Sequence, residues 1–327
     1  MTKKVLITDK ISDKTKRLTR HYVTSKAEVV FSDEVENTKE HIASADILVT
    51  STKGISKELL NEARNCIYIQ KFGVGVNNIA IPEATERGIP VGNVGGVNAL
   101  SVAEYAVMLM LSVIKHITTA HNKLTNEGLW LKTVLRDNCY ELSHKKVGLI
   151  GLGNIGRKVV SLLKGFECEI LYYDIFRLPE KQEKEMGVTF TDLVSLIKKA
   201  DIISLHAPLT EETKHIINYE RLKSMKPTAI LINTSRGGLV DENALISILE
   251  SGHLLGAGID VYEYEPIDQN HPLTKFERVI LSPHNGGGTN EAIEAVVKEG
   301  CININSILLE GVIANKINIV NLNDLIK

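Results

Sequence analysis

The run Gly151-Leu152-Gly153-Asn154-Ile155-Gly156 directly follows the apolar stretch Val147–Ile150 and opens a segment with helical spacing through Val159, Leu162 and Leu163. A second apolar stretch, Ile170–Tyr173, ends in Asp174. Glycines at this spacing permit a tight turn and let backbone N–H groups approach a pyrophosphate at a helix N-terminus. An acid at the end of the next strand can accept from the ribose hydroxyls. The pattern predicts dinucleotide binding. Asp174 favours NAD over NADP, because a carboxylate repels a 2′-phosphate; Arg177, three residues on, could in principle offset that.

Three later segments run from apolar strands into polar residues. In Ile230–Gly238 a buried-looking strand leads into Arg236, whose planar fork matches a carboxylate. Gly258–Pro266 carries the carboxylates Asp260, Glu263 and Glu265, two of which read as solvated loop acids. In Ile280–Gly287 a histidine, His284, again follows a short apolar strand. A histidine beside a glutamate and an arginine is a candidate acid/base. An arginine alone is more often a surface ion pair, but ligands of parallel sheets bind at the carboxyl ends of the strands.

The elements that must position these residues alternate along the chain. Candidate strands are Val5–Thr8, Asp46–Thr50 and Ile67–Phe72, then Val147–Ile150, Ile170–Asp174, Ile202–His206, Ala229–Thr234, Gly256–Asp260 and Val279–Leu281. Helices fit between them, for example over 154–164, 192–199 and 241–250. Such alternation predicts an α/β protein with parallel sheets covered on both faces. The glycine turn lies mid-chain, so the residues before it, with three strands of their own, form a separate α/β domain. A capping box at Ser101-Val102-Ala103-Glu104 predicts the start of a long buried helix. Gly92, Gly95 and Gly96 suit a crossing between domains, and Gly286-Gly287-Gly288 a return, after which the helix over 291–309 packs on the first domain. The expected architecture is two doubly wound parallel-sheet domains: a Rossmann nucleotide-binding domain over 98–285, inserted in a flavodoxin-like substrate domain formed by 1–97 plus 286–327. Cofactor and substrate are expected to meet between them.

Composition narrows the function classes. With 327 residues and a net charge of −2, nothing suggests a nucleic-acid partner or an anionic membrane surface. The apolar run near Met1 is too short for a signal peptide, and the stretch Tyr105–Ile114 is too short to span a bilayer, so a cytoplasmic protein is expected. Cys66, Cys139, Cys168 and Cys301 show no CxxC spacing and no histidines form HExxH, so neither disulfides nor a metal site is expected.

Seven ordered motifs, spread over nearly the whole chain, resemble the D-isomer-specific 2-hydroxyacid dehydrogenase family, which includes glyoxylate/hydroxypyruvate reductases and phosphoglycerate dehydrogenase. They are 71–79, 98–104, 151–156, 206–210, 233–237, 260–266 and 282–287. The resemblance implies that His284 protonates the carbonyl oxygen as hydride arrives from nicotinamide, and takes the proton back in oxidation. Glu265 would orient His284, and Arg236 would bind the substrate carboxylate. The N–H groups of Val74 and Gly75 would hold that carboxylate from the other side. For NAD it implies Gly151, Gly153, Asn154, Ile155 and Gly156 at the pyrophosphate and Asp174 at the adenosine ribose. His206, Ala207, Pro208 and Thr213 would line the adenine side. Thr234, Ser235, Arg236, Asp260, His284, Gly286 and Gly287 would lie toward the nicotinamide.

Departures from the family pattern bear on substrate. Asn77 replaces the usual Asp, Asn285 an apolar residue, and Gly288 a serine or threonine. Phosphoglycerate dehydrogenases carry an arginine where Thr50 stands, with Lys53 the only nearby cation here. A small unphosphorylated 2-oxo acid, glyoxylate or hydroxypyruvate, is therefore the expected substrate, with D-3-phosphoglycerate the alternative. A formate dehydrogenase would have glutamine in place of Glu265. A different class of role, an NAD-sensing partner protein, is compatible with the same residues. Relatives pair as homodimers through the nucleotide-binding domain, in a region corresponding to the helix after Ser101 and to Gly128-Leu129-Trp130; Trp130 reads equally as a core residue.

Overall fold

The computed structural model describes residues 2–325. They form two compact units, one running through Asn98 and resuming at Thr289, the other spanning Ala99–Gly288. Among the described residues no single helix is long and apolar enough to cross a membrane.

In the discontinuous unit, β1 (Lys3–Ile7), β2 (Ala27–Phe31), β3 (Ile47–Thr50), β4 (Tyr68–Lys71) and β5 (Val91–Gly92) form a sheet in the order β2-β1-β3-β4-β5. All pairs are parallel. This is the flavodoxin-like order. Alternate strand residues feed opposite faces, as a period of two requires. Leu6, Leu48 and Ile69 pack on one side with Leu60 and Ala84, while Val5, Ile7, Val49 and Tyr68 pack on the other. The second face is closed by the helix Asn290–Glu310, through Val297, Cys301 and Ile304. Three strands were expected in this part of the chain. β2 was missed because Glu28 interrupts its apolar run, and β5 because it has two residues.

The continuous unit holds β6 (Lys146–Ile150), β7 (Glu169–Tyr173), β8 (Val188–Phe190), β9 (Ile202–Leu205), β10 (Ile230–Asn233), β11 (Gly256–Ile259) and β12 (Val279–Leu281). Their order is β12-β11-β10-β9-β6-β7-β8, all parallel. It is the Rossmann order with one strand added at the edge. The helix Ala99–Ile114 packs through Ala103, Ala106, Met110 and Val113 in the same core as Val159 and Leu163 of the helix Asn154–Leu163. This helix begins at Ala99, so Ser101 and Glu104 sit inside it and do not cap it. By contrast Asp192 and Asp241 are observed N-caps, accepting from Ser195 and Ala244 N–H. The helices Ile117–Glu127 and Lys132–Arg136 bury no side chain, and Trp130 is 77 % exposed, so it is not a core residue.

One buried carboxylate organises the first unit. Asp9 follows β1 and is 2 % exposed. It accepts from Thr50 Oγ1 at 2.8 Å, Ser51 N at 2.7 Å and Thr52 N at 2.8 Å, and also from Lys53 N. Burial alone would raise its pKa; the donors of Lys53, Ser51, Thr50 and Thr52 outweigh it and hold the carboxyl below the ordinary range. Such a group adds stability above its unfolded pKa and loses it as pH falls through the folded value. Asp9→Asn should therefore lower the unfolding free energy at pH 7 by on the order of 2 kcal/mol, read as a lower urea midpoint. The gap from wild type should narrow in acid. Equal midpoints at pH 7 would contradict this assignment.

Candidate active site

In the unit Ala99–Gly288 the sequence-predicted residues fall at the carboxyl ends of successive parallel strands. After β6, the turn leads into the helix Asn154–Leu163, whose N-cap, Gly153, offers no side-chain cap. The first-turn N–H groups, including those of Asn154, Ile155 and Gly156, are therefore left for a ligand. After β7, Asp174 accepts from Leu152 N at 2.7 Å and Phe176 N at 3.0 Å, which ties the acid to the glycine turn. After β9, the His206 ring bonds Ser204 Oγ through Nε2 at 2.9 Å, while its Nδ1 is buried without a partner. After β10, Thr234 Oγ1 is likewise buried without a partner. Buried polar atoms are nearly always satisfied, so two orphans beside an uncapped helix start fit a polar ligand that spans these strand ends. A dinucleotide has the length and the acceptors. Two expected residues already use their hydroxyl hydrogens: Ser235 Oγ donates to Ala207 O at 2.6 Å and Thr213 Oγ1 to Pro208 O at 2.7 Å, both shaping the loops.

The ends of β10, β11 and β12 carry the candidate chemistry. Asn233 closes a tight turn after β10, donating to Arg236 O at 2.9 Å and accepting from Ser235 N at 3.1 Å. Gly237 then lies against the Tyr262–Glu263 backbone, where a Cβ would collide, so the Arg236 segment abuts the loop that carries Glu265. Burial lowers the Arg236 pKa, and the charge of Glu265 opposes that shift. After β11, Asp260 is 1 % exposed. It accepts from Ser282 Oγ at 2.6 Å, Asn285 N at 2.9 Å and Gly286 N at 2.8 Å, and its own carbonyl accepts His284 N at 2.8 Å. That grip holds His284 in a left-handed conformation, φ 52°, which non-glycine residues adopt rarely. The ring's Nδ1 donates to Glu265 Oε2 at 2.8 Å, and Glu265 Oε1 accepts Tyr262 N at 3.1 Å. The side chains of His284 and Glu265 are 50 % and 36 % exposed.

The expectation that two of the three acids over 258–266 are solvated loop residues needs correction: Asp260 is buried, and Glu263 bonds His215 Nε2 at 3.3 Å. Both Asp260 oxygens already hold the 282–286 loop, a role that sequence reasoning missed. Its signal was a charge placed directly after an apolar strand. Val74 and Gly75 lie in the other unit, after β4; Val74 O accepts Asn93 Nδ2 at 2.8 Å. Among the described residues, no group of three histidine, cysteine or acidic side chains is placed to hold a metal ion.

Comparison with known proteins agrees with this layout. The family model described as D-isomer specific 2-hydroxyacid dehydrogenase, NAD binding domain, matches residues 107–286. A glyoxylate reductase of Thermofilum pendens is 43 % identical over 267 residues, covering 80 % of this chain and 78 % of that protein. A D-3-phosphoglycerate dehydrogenase of Methanocaldococcus jannaschii is 36 % identical over 321 residues, 98 % of this chain and 60 % of its own length. The crystal structure of a D-lactate dehydrogenase from Aquifex aeolicus, complexed with NAD and lactic acid, superposes with a TM-score of 0.82 at 25 % identity, covering 95 % of this chain and 98 % of that one. The chain belongs to the D-isomer specific 2-hydroxyacid dehydrogenase family, whose members are oxidoreductases, and Ala99–Gly288 contains its NAD-binding domain.

Two departures from the family pattern are neighbours in space. A Cβ on Gly288 would collide with the Asn285 side chain, and Gly288 N already donates to Asn285 O at 2.8 Å. Gly288→Ser should lower stability in the wild-type background and be tolerated once Asn285→Ala clears the space. The double-mutant cycle should show coupling on the order of 1 kcal/mol; additive effects would refute the link. His206 supplies a pH test. Burial pushes its pKa down to about 4. The unfolded chain takes up that proton near pH ~6.5, so stability falls as pH drops from there toward the folded value. The loss of Tm between pH 7 and pH 5 should be smaller in His206→Gln; an identical loss would contradict the neutral buried ring.

Proposed function

We propose that this chain reduces a small unphosphorylated 2-oxo acid, glyoxylate or hydroxypyruvate, to the D-2-hydroxy acid with NADH, reversibly. The observation that carries this is the 2.8 Å bond between His284 and Glu265, in a loop that abuts the Arg236 turn. Bound NADH supplies the hydride. Arg236 grips the substrate carboxylate with its planar fork, fixing which face of the carbonyl is presented. His284, held through Nδ1 by Glu265, gives its Nε2 proton to the carbonyl oxygen in reduction and recovers it in oxidation.

The cofactor is NAD rather than NADP, because Asp174 puts a carboxylate at the ribose end of the glycine turn. The lack of a phosphate on the substrate is supported by Thr50. Its side chain is fully buried, donating to Asp9 Oδ2 and accepting Gly54 N at 2.9 Å, so it offers nothing to an anion. Asp9 beneath it adds negative charge.

NADH oxidation with glyoxylate or hydroxypyruvate should outpace NAD reduction with 3-phosphoglycerate. Turnover of the phosphorylated acid alone would reverse the assignment. Arg236→Ala and His284→Ala should each lower kcat/KM by roughly 10²–10⁴-fold; activity that survives both would remove the site. A second copy of the chain is the proposed partner, since Ile117 and Val134 on two helices that bury no side chain, and Trp130 between them, leave apolar surface exposed. Light scattering should give a dimer that Trp130→Asp with Val134→Asp converts to monomer; a monomeric wild type would refute it.

A further inference from the structure

Beyond the strand-end residues, one polar cluster is built around a cation that the reaction does not use. Arg177 stands three residues after Asp174, close enough in sequence to serve the same end of the cofactor. Its guanidinium is already held. Nε lies 3.0 Å from Glu183 Oε1 and Nη2 lies 3.1 Å from Glu183 Oε2, a two-pronged pair. The guanidinium also rides over the Phe190 ring, 5.1 Å from its centroid. Glu183, on the helix Glu180–Met186, is the anchored partner: its side chain is 9 % exposed, against 58 % for Arg177. Its Oε1 also accepts the hydroxyl of Tyr172 at 2.8 Å, and that ring is fully buried at the end of β7. The same hydroxyl accepts Leu178 N at 2.9 Å, which fixes the chain between Arg177 and the helix. Tyr172 packs edge-on against Phe190 at 5.4 Å. The hydrogen bonds from Arg177 and Tyr172 hold the Glu183 carboxyl below its ordinary pKa, so it is charged at neutral pH.

An arginine near this acid is what accommodates a 2′-phosphate in a dinucleotide fold. Here its donors face an anion fixed in the protein. We infer that Glu183 is a specificity-determining residue: by holding Arg177 in a two-pronged pair over Phe190, it withholds that guanidinium from the 2′-phosphate of NADP and keeps the site selective for NAD. Asp174 supplies the repulsion, and Glu183 removes the compensation. This rests on the proposed placement of the adenosine ribose at Asp174, and not on the identity of the 2-oxo acid.

The test is direct titration of NADH and NADPH by their own fluorescence, without substrate, so that a wrong substrate assignment leaves it readable. Glu183→Gln keeps the shape and removes the charge. It should tighten NADPH at least ~10-fold while shifting NADH less than ~3-fold, and Arg177→Ala added to it should abolish the gain. No gain for NADPH, or a gain that survives Arg177→Ala, overturns the inference. Arg177→Ala in the wild type guards against a misfolded Glu183 variant. It should leave NADPH binding within ~2-fold, because the guanidinium is already withheld; a ~10-fold weakening would show that Arg177 reaches the phosphate, and the inference fails. Uniformly poor NADH binding to the wild type would instead count against the cofactor site itself.

Discussion

The buried carboxylate of Asp260 is the constraint on which the candidate site depends. It takes the hydroxyl of Ser282 and the N–H groups of Asn285 and Gly286, while its carbonyl takes the N–H of His284. A charge 1 % exposed is tolerable only when its lone pairs are filled, and here they are filled by the loop that must present the histidine. The left-handed backbone at His284 is held by these bonds. Stored strain of this kind persists only where its surroundings over-determine it. The ring is thereby turned so that Nδ1 meets Glu265, and the glutamate is itself pinned by the N–H of Tyr262.

A parallel sheet makes such an assembly economical. Strands that all run one way bring their carboxyl ends to one edge, so residues far apart in sequence converge without long loops. Asp174, His206, Thr234, Arg236, Asp260 and His284 each lie within a few residues of a strand end. Side chains that do no chemistry join neighbouring ends, as Ser235 does to Ala207 and Asp174 to Leu152. In the proposed reading, selectivity and chemistry share one scaffold while using different strands: β7 with the helix Glu180–Met186 for the cofactor, β10 to β12 for the acid and the cation.

Most of this was legible in the chain. The glycine turn, the acid after the next strand and the apolar runs ending in Arg236 and His284 are short-range patterns, and short-range patterns survive in sequence. What was lost depends on tertiary partners. Ser101 and Glu104 have the right spacing for a cap, but Ala99 and Val102 find a buried face and the helix starts earlier. Asp260 looks like any loop acid until the Ser282–Gly286 backbone folds over it. The resemblance implies ligand contacts for Thr213 and Ser235, and it gives no sign that both hydroxyls also donate to nearby carbonyls. The pairing of Arg177 with Glu183 and the crowding of Gly288 by Asn285 span six residues or fewer, but neither shows a periodicity to read.

The most direct measurement is a crystal structure with NADH and oxamate, a small 2-oxo acid mimic whose amide carbonyl does not accept hydride. The account predicts the oxamate carboxylate on the Arg236 guanidinium and its carbonyl oxygen within about 3.2 Å of His284 Nε2, with the Glu265 bond to Nδ1 intact. Oxamate bound away from His284, or held with Arg236 turned elsewhere, would contradict it.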